Sequence, residues 1–384
     1  MAVSTEMNQS LSLVARARRA RLARIWKYLN RHPEASMREL KTHDFLMVIM
    51  QEAGLQPQVF GGFPGFVVDV GKGEPRVGLR ADMDALIQNI DGVPTAVHSC
   101  GHDANMAIVA TVMLELSEIS DSIGTGVRAI FQPSEEAGNG AELVAELGVV
   151  DNLDYLFGVH LRPGDELRSP YFSPAIAHGA CLFVEGSIRG QDHHGARPHT
   201  GVNAIDVALE ISNELHRMKI DPLTPTSAKL TMLKAGGALN VIPGSAQFGI
   251  DLRAQTNESM EALKQRLISF CGQITSRLAV PIELDFQDAV PAASVGLEAE
   301  RILAGAIESQ HGMNSLVPRT VTSGSDDFHF YSVRNERLQA AMLGVGANVH
   351  PGLHHPEMTF EFAALERAAA VMVEACMQAL ILKE

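Results

Sequence analysis

Short apolar runs alternate with helical spacings through the first half of the chain. The runs that predict buried strands cover residues 66–70, 77–79, 127–131 and 155–159. Between the second and third runs, apolar residues recur at spacings of three and four, which predicts a helix over residues 104–119 with Asp103 at its N-cap. Strands that alternate with helices indicate an α/β domain on a mostly parallel sheet, with helices on both faces.

The order of the elements changes near residue 180. The pattern there predicts strands over residues 182–190, 228–234, 247–254 and 282–286, and helices over residues 202–218 and 259–278. This β-α-β-β-α-β order is typical of the split βαβ, or ferredoxin-like, fold. It indicates a self-contained unit that is inserted into the first domain.

The α/β pattern resumes after residue 291, with a helix over residues 298–309, a strand over residues 340–345 and a final helix from Phe362. A chain of 384 residues exceeds one ordinary hydrophobic core, so two domains are expected. We therefore predict a discontinuous domain of residues 1–179 and 292–384, and an inserted domain of residues 180–291.

Composition narrows the class of protein. The formal net charge of -14 argues against a nucleic-acid partner, because phosphate binding requires clustered Lys and Arg. No apolar run reaches the roughly 18 residues that a membrane span requires. The basic stretch over residues 16–24 lacks an adjacent apolar segment, so a solvated helix face is favoured over a targeting signal. The four cysteines lack the spacing of a disulfide framework, which predicts reduced thiols and a cytoplasmic location.

Candidate chemistry begins at the segment that precedes the first predicted helix, where His98, Cys100 and His102 lie within five residues. Thiol and imidazole groups suit a transition-metal site for zinc, manganese, cobalt or nickel. A single glycine separates Cys100 from His102, so both side chains can converge on one point. The same residues also allow a different interpretation, in which Cys100 is a thiol nucleophile with His98 or His102 as its base.

Further ligands follow other predicted strands. Glu135 and Glu136 come after the strand over residues 127–131, where one carboxylate can bind metal while its neighbour takes a proton from water. Two metal ions held in this way activate a water and polarise a carbonyl. Cys100 is a candidate bridge between them, with terminal ligands His102, Glu136, His160 and His354. Asp82 follows its own strand and is placed to orient a ligand imidazole.

The predicted inserted domain carries polar residues suited to substrate binding. Residues 192–199 are too rich in histidine for an ordinary turn, and a histidine there can stabilise an oxyanion. Asn240 and Arg253 are candidates for holding a substrate carboxylate, since Arg can make a bidentate pair.

Taken in order, several segments resemble the M20 metallopeptidase superfamily. The branch with the most similar motifs is the amidohydrolase branch of hippurate hydrolases, auxin-conjugate hydrolases and N-acyl-amino-acid amidohydrolases. The matching segments span nearly the whole chain, at residues 29–34, 80–86, 98–103, 131–136, 194–199, 240–243 and 353–356. The resemblance implies that Cys100 replaces a bridging carboxylate, that Glu135 is the general base and that Glu136 is a ligand. It also makes His194 the catalytic histidine of the inserted domain, often supplied across a dimer interface.

The resemblance implies a metal-dependent amidohydrolase that cleaves N-acyl amino acids or small peptide-like amides. It implies two divalent metal ions per subunit (Zn, Mn, Ni or Co), and a homodimer formed through the inserted domain, which serves as lid and dimerisation domain. An alternative from another class is a catalytically silent relative that binds a small carboxylate; a cysteine hydrolase is a third. Intact ligands and an intact base argue against the silent relative.

The chain departs from the family pattern at four places. These are Ala104-Asn105, residues 87–90, Asp192-His193 and the segment Ser325-Asp326-Asp327-Phe328. None removes a ligand or the base, so we expect them to affect the substrate rather than the chemistry.

Overall fold

The computed structural model describes residues 2–382. Helices of this part are α1 (Ala2–Arg31), α2 (Leu40–Glu52), α3 (His102–Ser117), α4 (Gly140–Glu146), α5 (Ala204–Arg217), α6 (Asn257–Leu278), α7 (Leu297–His311), α8 (Phe330–Arg334) and α9 (Ala363–Ile381). Its strands are β1 (Gln58–Val59), β2 (Phe66–Val70), β3 (Pro75–Asp82), β4 (Leu86–Ile90), β5 (Val93–Val97), β6 (Gly126–Gln132), β7 (Tyr155–Pro163), β8 (Phe172–Ser173), β9 (Ile176–Ala177), β10 (Ala180–Ile188), β11 (His193–His194), β12 (Thr226–Ala235), β13 (Val241–Ile242), β14 (Ala246–Ala254), β15 (Ile282–Val290), β16 (Thr320–Val321) and β17 (Gln339–Val349).

The chain divides into two compact units. The second unit consists of Ala177–Ala293 with Thr322–Ser325, and the other described residues form the first unit. The first unit is built on a seven-stranded sheet in the order β1-β2-β6-β3-β7-β17-β8.

The sheet of the first unit is mixed. Its central strands β6, β3, β7 and β17 are parallel, whereas β1, β2 and β8 pair antiparallel at the edges. The prediction of a mostly parallel sheet is therefore right for the centre and wrong for the edges. Strand β2 ends at Val70 and β3 begins at Pro75, and so short a connection cannot make the crossover that parallel strands require.

Helices cover both faces of this sheet. Phe131 and Phe157 pack in one buried cluster with residues of α1, α2, α3, α7 and α9. Their chain neighbours Ile130 and Leu156 lie in another cluster with residues of α4 and α8. Successive residues of a strand point to opposite faces, so these two clusters are the two sides of the sheet.

Helix α3 begins earlier than the sequence indicates. Its N-cap is Gly101, with a left-handed φ of 88°, and Asp103 lies in the first turn. The prediction of Asp103 as N-cap is wrong because its carboxylate has other partners. It accepts hydrogen bonds from Asn30 Nδ2 at 2.8 Å and from the N–H of Ala104 at 2.9 Å. A glycine at 101 takes the left-handed backbone without steric cost.

The basic stretch lies on α1 and is paired with acidic residues of other helices. Arg18 makes two hydrogen bonds to Glu115 on α3, at 2.7 and 2.6 Å. Arg21 pairs with Glu118, at the end of α3. The basic stretch therefore helps to hold α1 against α3. Among residues 2–382, no helix has the length and apolar character needed to cross a membrane.

The second unit contains a four-stranded antiparallel sheet in the order β12-β14-β10-β15. Along the chain its elements follow the order β10, α5, β12, β14, α6, β15. It has a buried cluster of its own, with residues such as Ile211, Phe248 and Leu267. The short strands β11 and β13 form a separate antiparallel pair.

Candidate metal centre

Five predicted ligands come together in the first unit. The ligand atoms of Cys100, His102 and His160 lie within 4.8 Å of one another, and so do those of Cys100, Glu136 and His354. Cys100 is common to both sets, and its Sγ is 3.5 Å from His160 Nε2. The five side chains thus form two ligand sets joined at one thiol.

The elements that carry these residues meet near the carboxyl ends of the parallel strands. Cys100 and His102 flank the start of α3, and Glu136 follows β6. His160 lies within β7, three residues before that strand ends at Pro163, so its predicted place at the strand's end is wrong. His354 lies after β17, has a left-handed φ of 64° and donates its N–H to the Ser99 carbonyl at 2.7 Å.

Two buried polar atoms indicate whether a cation fits between these side chains. His102 Nε2 and Glu136 Oε1 are buried without a hydrogen-bond partner in the described part of the chain. They lie 3.9 Å apart, and His354 Nε2 lies 3.8 Å from Glu136 Oε2. These distances are too long for hydrogen bonds. Thiol, imidazole and carboxylate donors with this spacing fit divalent transition metals.

The surroundings of His102 favour positive charge. Burial alone would lower its pKa, but Asp82, Cys100 and the hydrogen bond with Asp84 raise the pKa of His102 well above the usual value. Burial also raises the pKa of the Cys100 thiol, against the effect of His102. A metal ion bound here would take the place of the proton on His102, and it would also stabilise the Cys100 thiolate and the nearby carboxylates.

The adjacent carboxylates differ in their surroundings. Burial, together with Asp326 and Glu136, raises the pKa of Glu135 well above its usual value. Burial also raises the pKa of Glu136, to about 7, although His102 opposes the rise. A carboxylate whose pKa is raised by burial is suited to general-base work near neutral pH. Burial and Arg162 lower the pKa of His160 to about 4, so its imidazole is neutral, as a ligand must be.

Asp84, which the sequence prediction missed, connects the ligand-bearing loops. Its carbonyl oxygen lies 2.9 Å from His102 Nδ1. Its two carboxylate oxygens accept hydrogen bonds from the N–H groups of Glu135 and Glu136, each at 3.0 Å. Asp84 therefore orients one imidazole and the backbone of both glutamates. Its place two residues after Asp82 was the available signal.

Asp82 lies on the other side of the same imidazole. Its Oδ2 is 3.8 Å from His102 Nε2 and 2.5 Å from Arg80 Nη1. Its Oδ1 accepts a hydrogen bond from Asn105 Nδ2 at 2.9 Å. Asp82 is thus tied to Arg80 and Asn105, while His102 Nδ1 contacts Asp84.

A buried ion network behind Glu135 was also missed. Glu135, Asp326 and Asp327 place carboxylate oxygens within 4.8 Å of one another. Arg80 Nη2 donates to Asp327 Oδ1 at 2.6 Å, and Gln132 Nε2 donates to Asp327 Oδ2 at 2.9 Å. The sequence signal was the segment at residues 325–328, which departs from the family pattern next to a polar strand end.

The remaining predicted residues belong to the second unit. His194 lies in β11 opposite Val241 of β13, and the N–H of Gly195 donates to the Asn240 carbonyl at 2.8 Å. His194 and Asn240 are both exposed.

Arg253 lies on β14 and already has two partners. Its Nε donates to Asp251 Oδ1 at 2.8 Å and its Nη1 to Ser325 Oγ at 3.1 Å. These contacts hold the guanidinium in one orientation over the ring of Phe183, 5.4 Å from the ring centroid.

Comparison with known proteins gives matches over most of the chain. Residues 78–378 match the family model described as peptidase family M20/M25/M40. The N-acetyl-L-cysteine deacetylase of Bacillus subtilis (strain 168) is 27% identical over 365 residues, covering 91% of this chain and 86% of that protein. IAA-amino acid hydrolase ILR1-like 4 of Arabidopsis thaliana is 28% identical over 324 residues, covering 80% of this chain and 73% of that protein.

A solved structure shows the same fold. It is a Bacillus subtilis protein described as a dinuclear metal-binding peptidase from the M20 family, with a TM-score of 0.81 and 24% identity. The superposition covers 95% of this chain and 99% of that chain.

Proposed function

This chain belongs to peptidase family M20/M25/M40, and from that membership we propose that it is a metal-dependent amidohydrolase. It cleaves the amide bond of N-acyl amino acids or small peptide-like amides with a metal-activated water. The observation that carries the proposal is the pair of ligand sets that share Cys100 beside the buried carboxylate of Glu135. The similarity to an N-acetyl-L-cysteine deacetylase and to an IAA-amino acid hydrolase supports this substrate class.

Each ligand set would hold one divalent ion. Cys100 with His102 and His160 forms one site, and Cys100 with Glu136 and His354 forms the other. Zinc, manganese, nickel and cobalt all suit these donors. When bound, the ions lower the pKa of a water and polarise the scissile carbonyl.

The protein's own groups then move the proton. Glu135 takes a proton from the attacking water and delivers it to the departing nitrogen. Its raised pKa favours holding that proton between the two steps. Asp84 keeps Glu135 and His102 in place through the hydrogen bonds described above.

The second unit would supply substrate contacts. We assign residues 180–291 to a ferredoxin-like lid and dimerisation domain, and residues 1–179 and 292–384 to the catalytic domain. His194 stabilises the oxyanion of the tetrahedral intermediate, and Asn240 and Arg253 hold the substrate carboxylate. The four cysteines are free and buried, which supports a reducing, cytoplasmic setting.

The test is amide hydrolysis across N-acetyl, N-benzoyl and longer N-acyl amino acids, together with dipeptides. Chelated enzyme should be inactive, and one of the four metals should restore turnover. Glu135→Gln should lower kcat by about 100- to 10,000-fold while metal content stays the same. Glu142→Gln, which changes an exposed carboxylate on α4, is the matched control. Turnover that survives chelation, or that Glu135→Gln leaves intact, would contradict the proposal.

The subunit that supplies His194 can be found by mixing inactive variants. If His194 acts across a homodimer, His194→Ala and Glu135→Gln chains regain activity when they are mixed and allowed to exchange subunits. If the mixture stays inactive although the subunits exchange, His194 acts within its own chain.

A further inference from the structure

Glu135 and Glu136 follow a turn whose backbone conformation is unfavourable for a residue with a side chain. Ser134, immediately before the pair, has a left-handed φ of 61°. Residues with a side chain rarely adopt this region, and they remain there when surrounding contacts hold them. The contacts at this turn therefore decide where Glu135 and Glu136 point.

Two buried carboxylates hold the backbone of this turn. The N–H groups of Glu135 and Glu136 donate to Asp84, as described above. The N–H of Ser134 donates to Glu39 Oε1 at 2.9 Å. Three successive N–H groups are thus held by two acidic side chains, both of them fully buried.

Glu39 differs from Asp84 in what else it contacts. Asp84 also contacts His102, so a change there would disturb a ligand directly. Glu39 lies at the start of α2, where its carbonyl accepts the N–H of His43 at 2.9 Å. Among the hydrogen bonds of the described residues, the one with the Ser134 N–H alone connects the Glu39 side chain to the candidate metal centre.

We propose that Glu39 is a positioning residue for the glutamate pair. Its carboxylate holds the N–H of Ser134 and so fixes the direction in which Glu135 and Glu136 leave the turn. The inference rests on the proposed function of that pair as base and ligand. Glu39 acts through the position of the base and not by contact with the reacting atoms, so its effect is on the chemical step.

The experiment compares Glu39→Ala, Glu39→Gln and a control, Glu34→Ala. Gln keeps an oxygen that can accept the Ser134 N–H, whereas Ala does not. Glu34 lies on the same segment, and its carboxylate accepts the N–H groups of Lys41 and Thr42 at 3.2 and 2.9 Å. Its loss disturbs the same part of α2 without touching the turn. Melting temperatures select the variants that are folded at the assay temperature.

The first readout is amide hydrogen exchange of the peptide over residues 133–140, in metal-free protein. In Glu39→Ala the amides of residues 134–136 should exchange about tenfold faster or more, because the hydrogen bond from the Ser134 N–H to the buried Glu39 side chain is lost. Glu39→Gln and Glu34→Ala should match the wild type. Unchanged exchange in Glu39→Ala, or equal acceleration in Glu34→Ala, overturns the inference.

The second readout is amide hydrolysis at saturating metal. Glu39→Ala should lower kcat by about 10- to 100-fold with KM nearly unchanged, because misplacement of the base affects the chemical step. Glu39→Gln should restore most of kcat. If Glu39→Gln loses as much as Glu39→Ala, the hydrogen bond is not the cause. A wild type without turnover on any substrate overturns the proposed function instead, and the exchange measurement still decides the role of Glu39.

Discussion

Cys100 belongs to both proposed ion sites, whereas His160 and His354 each belong to one. A shared thiolate links the binding of the two ions, because its loss removes a ligand from each. Cys100 is also buried, and burial raises the pKa of its thiol. Deprotonation of Cys100 therefore depends on the bound metal.

Single substitutions of these residues should separate the two sites. We expect His160→Ala and His354→Ala each to lower bound metal from about two ions per chain to about one. Cys100→Ala should weaken both sites, so that less metal remains than in either histidine variant. Metal content measured after dialysis at a fixed free-metal concentration checks the order. Equal losses in all three variants would show that the sites are not joined at Cys100.

Glu39 gives a residue-scale prediction for stability. Burial raises its pKa from 4.5 to about 7, with a contribution from Asp84. The folded protein therefore holds the proton more tightly than the unfolded chain, and this stabilisation is complete below pH 4.5 and is lost as pH rises through about 7. Glu39→Gln has no such proton to lose.

Between pH 4.5 and 7.5 the free energy of unfolding of Glu39→Gln should rise relative to the wild type, by on the order of 3 kcal/mol. Urea unfolding of both proteins at several pH values, without metal, measures the difference. A difference independent of pH would mean that Glu39 titrates normally in the folded protein.

At the scale of elements, β3 carries two arginines with different surroundings. Arg80 is buried and joins Asp82, Gln132 and Asp327. Asp82 and Gln132 are the last residues of β3 and β6, and Asp327 lies just before α8. Arg76 pairs with Asp154 through two hydrogen bonds, at 2.8 and 3.0 Å, but is 42% exposed. The contrast isolates the effect of burial on an arginine–carboxylate pair in one strand.

Arg80→Leu should destabilise the protein by about 3–5 kcal/mol, because it leaves buried carboxylates without a counter-charge. Arg76→Leu should cost about 0–1 kcal/mol, as partly exposed ion pairs usually do. Urea unfolding at neutral pH measures both. Similar costs for the two variants would argue against a charged network at Arg80.

At the scale of the whole molecule, the candidate ion ligands and the candidate substrate-binding residues lie in different units. All five proposed ligands are in the first unit, whereas His194, Asn240 and Arg253 are in the second. The main segment of the second unit, Ala177–Ala293, begins and ends at points that lie close together in space, since the N–H of Ala293 donates to the His178 carbonyl at 3.0 Å. A short linker can therefore replace the segment between them.

Replacement of residues 180–291 by a Gly/Ser linker of about six residues should leave metal binding and remove turnover. We expect kcat/KM to fall at least about 100-fold, since the oxyanion contact and the carboxylate contacts are lost. Calorimetric metal titration and the amide assay test the two expectations separately. Loss of metal binding in a folded variant would show that the second unit contributes to the ion sites.

Much of this arrangement follows from local sequence. The helix predicted over residues 259–278 is α6 (Asn257–Leu278), and the strand predicted over residues 247–254 is β14 (Ala246–Ala254). Such elements are predictable because hydrophobic periodicity reports which side of a segment is buried. The ligand types are equally local, since a thiol, imidazoles and paired carboxylates follow predicted strands.

The sequence by itself thus determined the elements, the candidate ligands and the class of chemistry. Only the tertiary structure decided which of the other candidate ligands join Cys100 in each set, and that Asp84 and Glu39 hold the turn of the glutamate pair. Glu39 and Ser134 are 95 positions apart, and Arg80 and Asp327 are 247 apart. Contacts between such distant residues depend on the path of the whole chain. Local periodicity does not record that path, because it reports only which side of each segment faces the core.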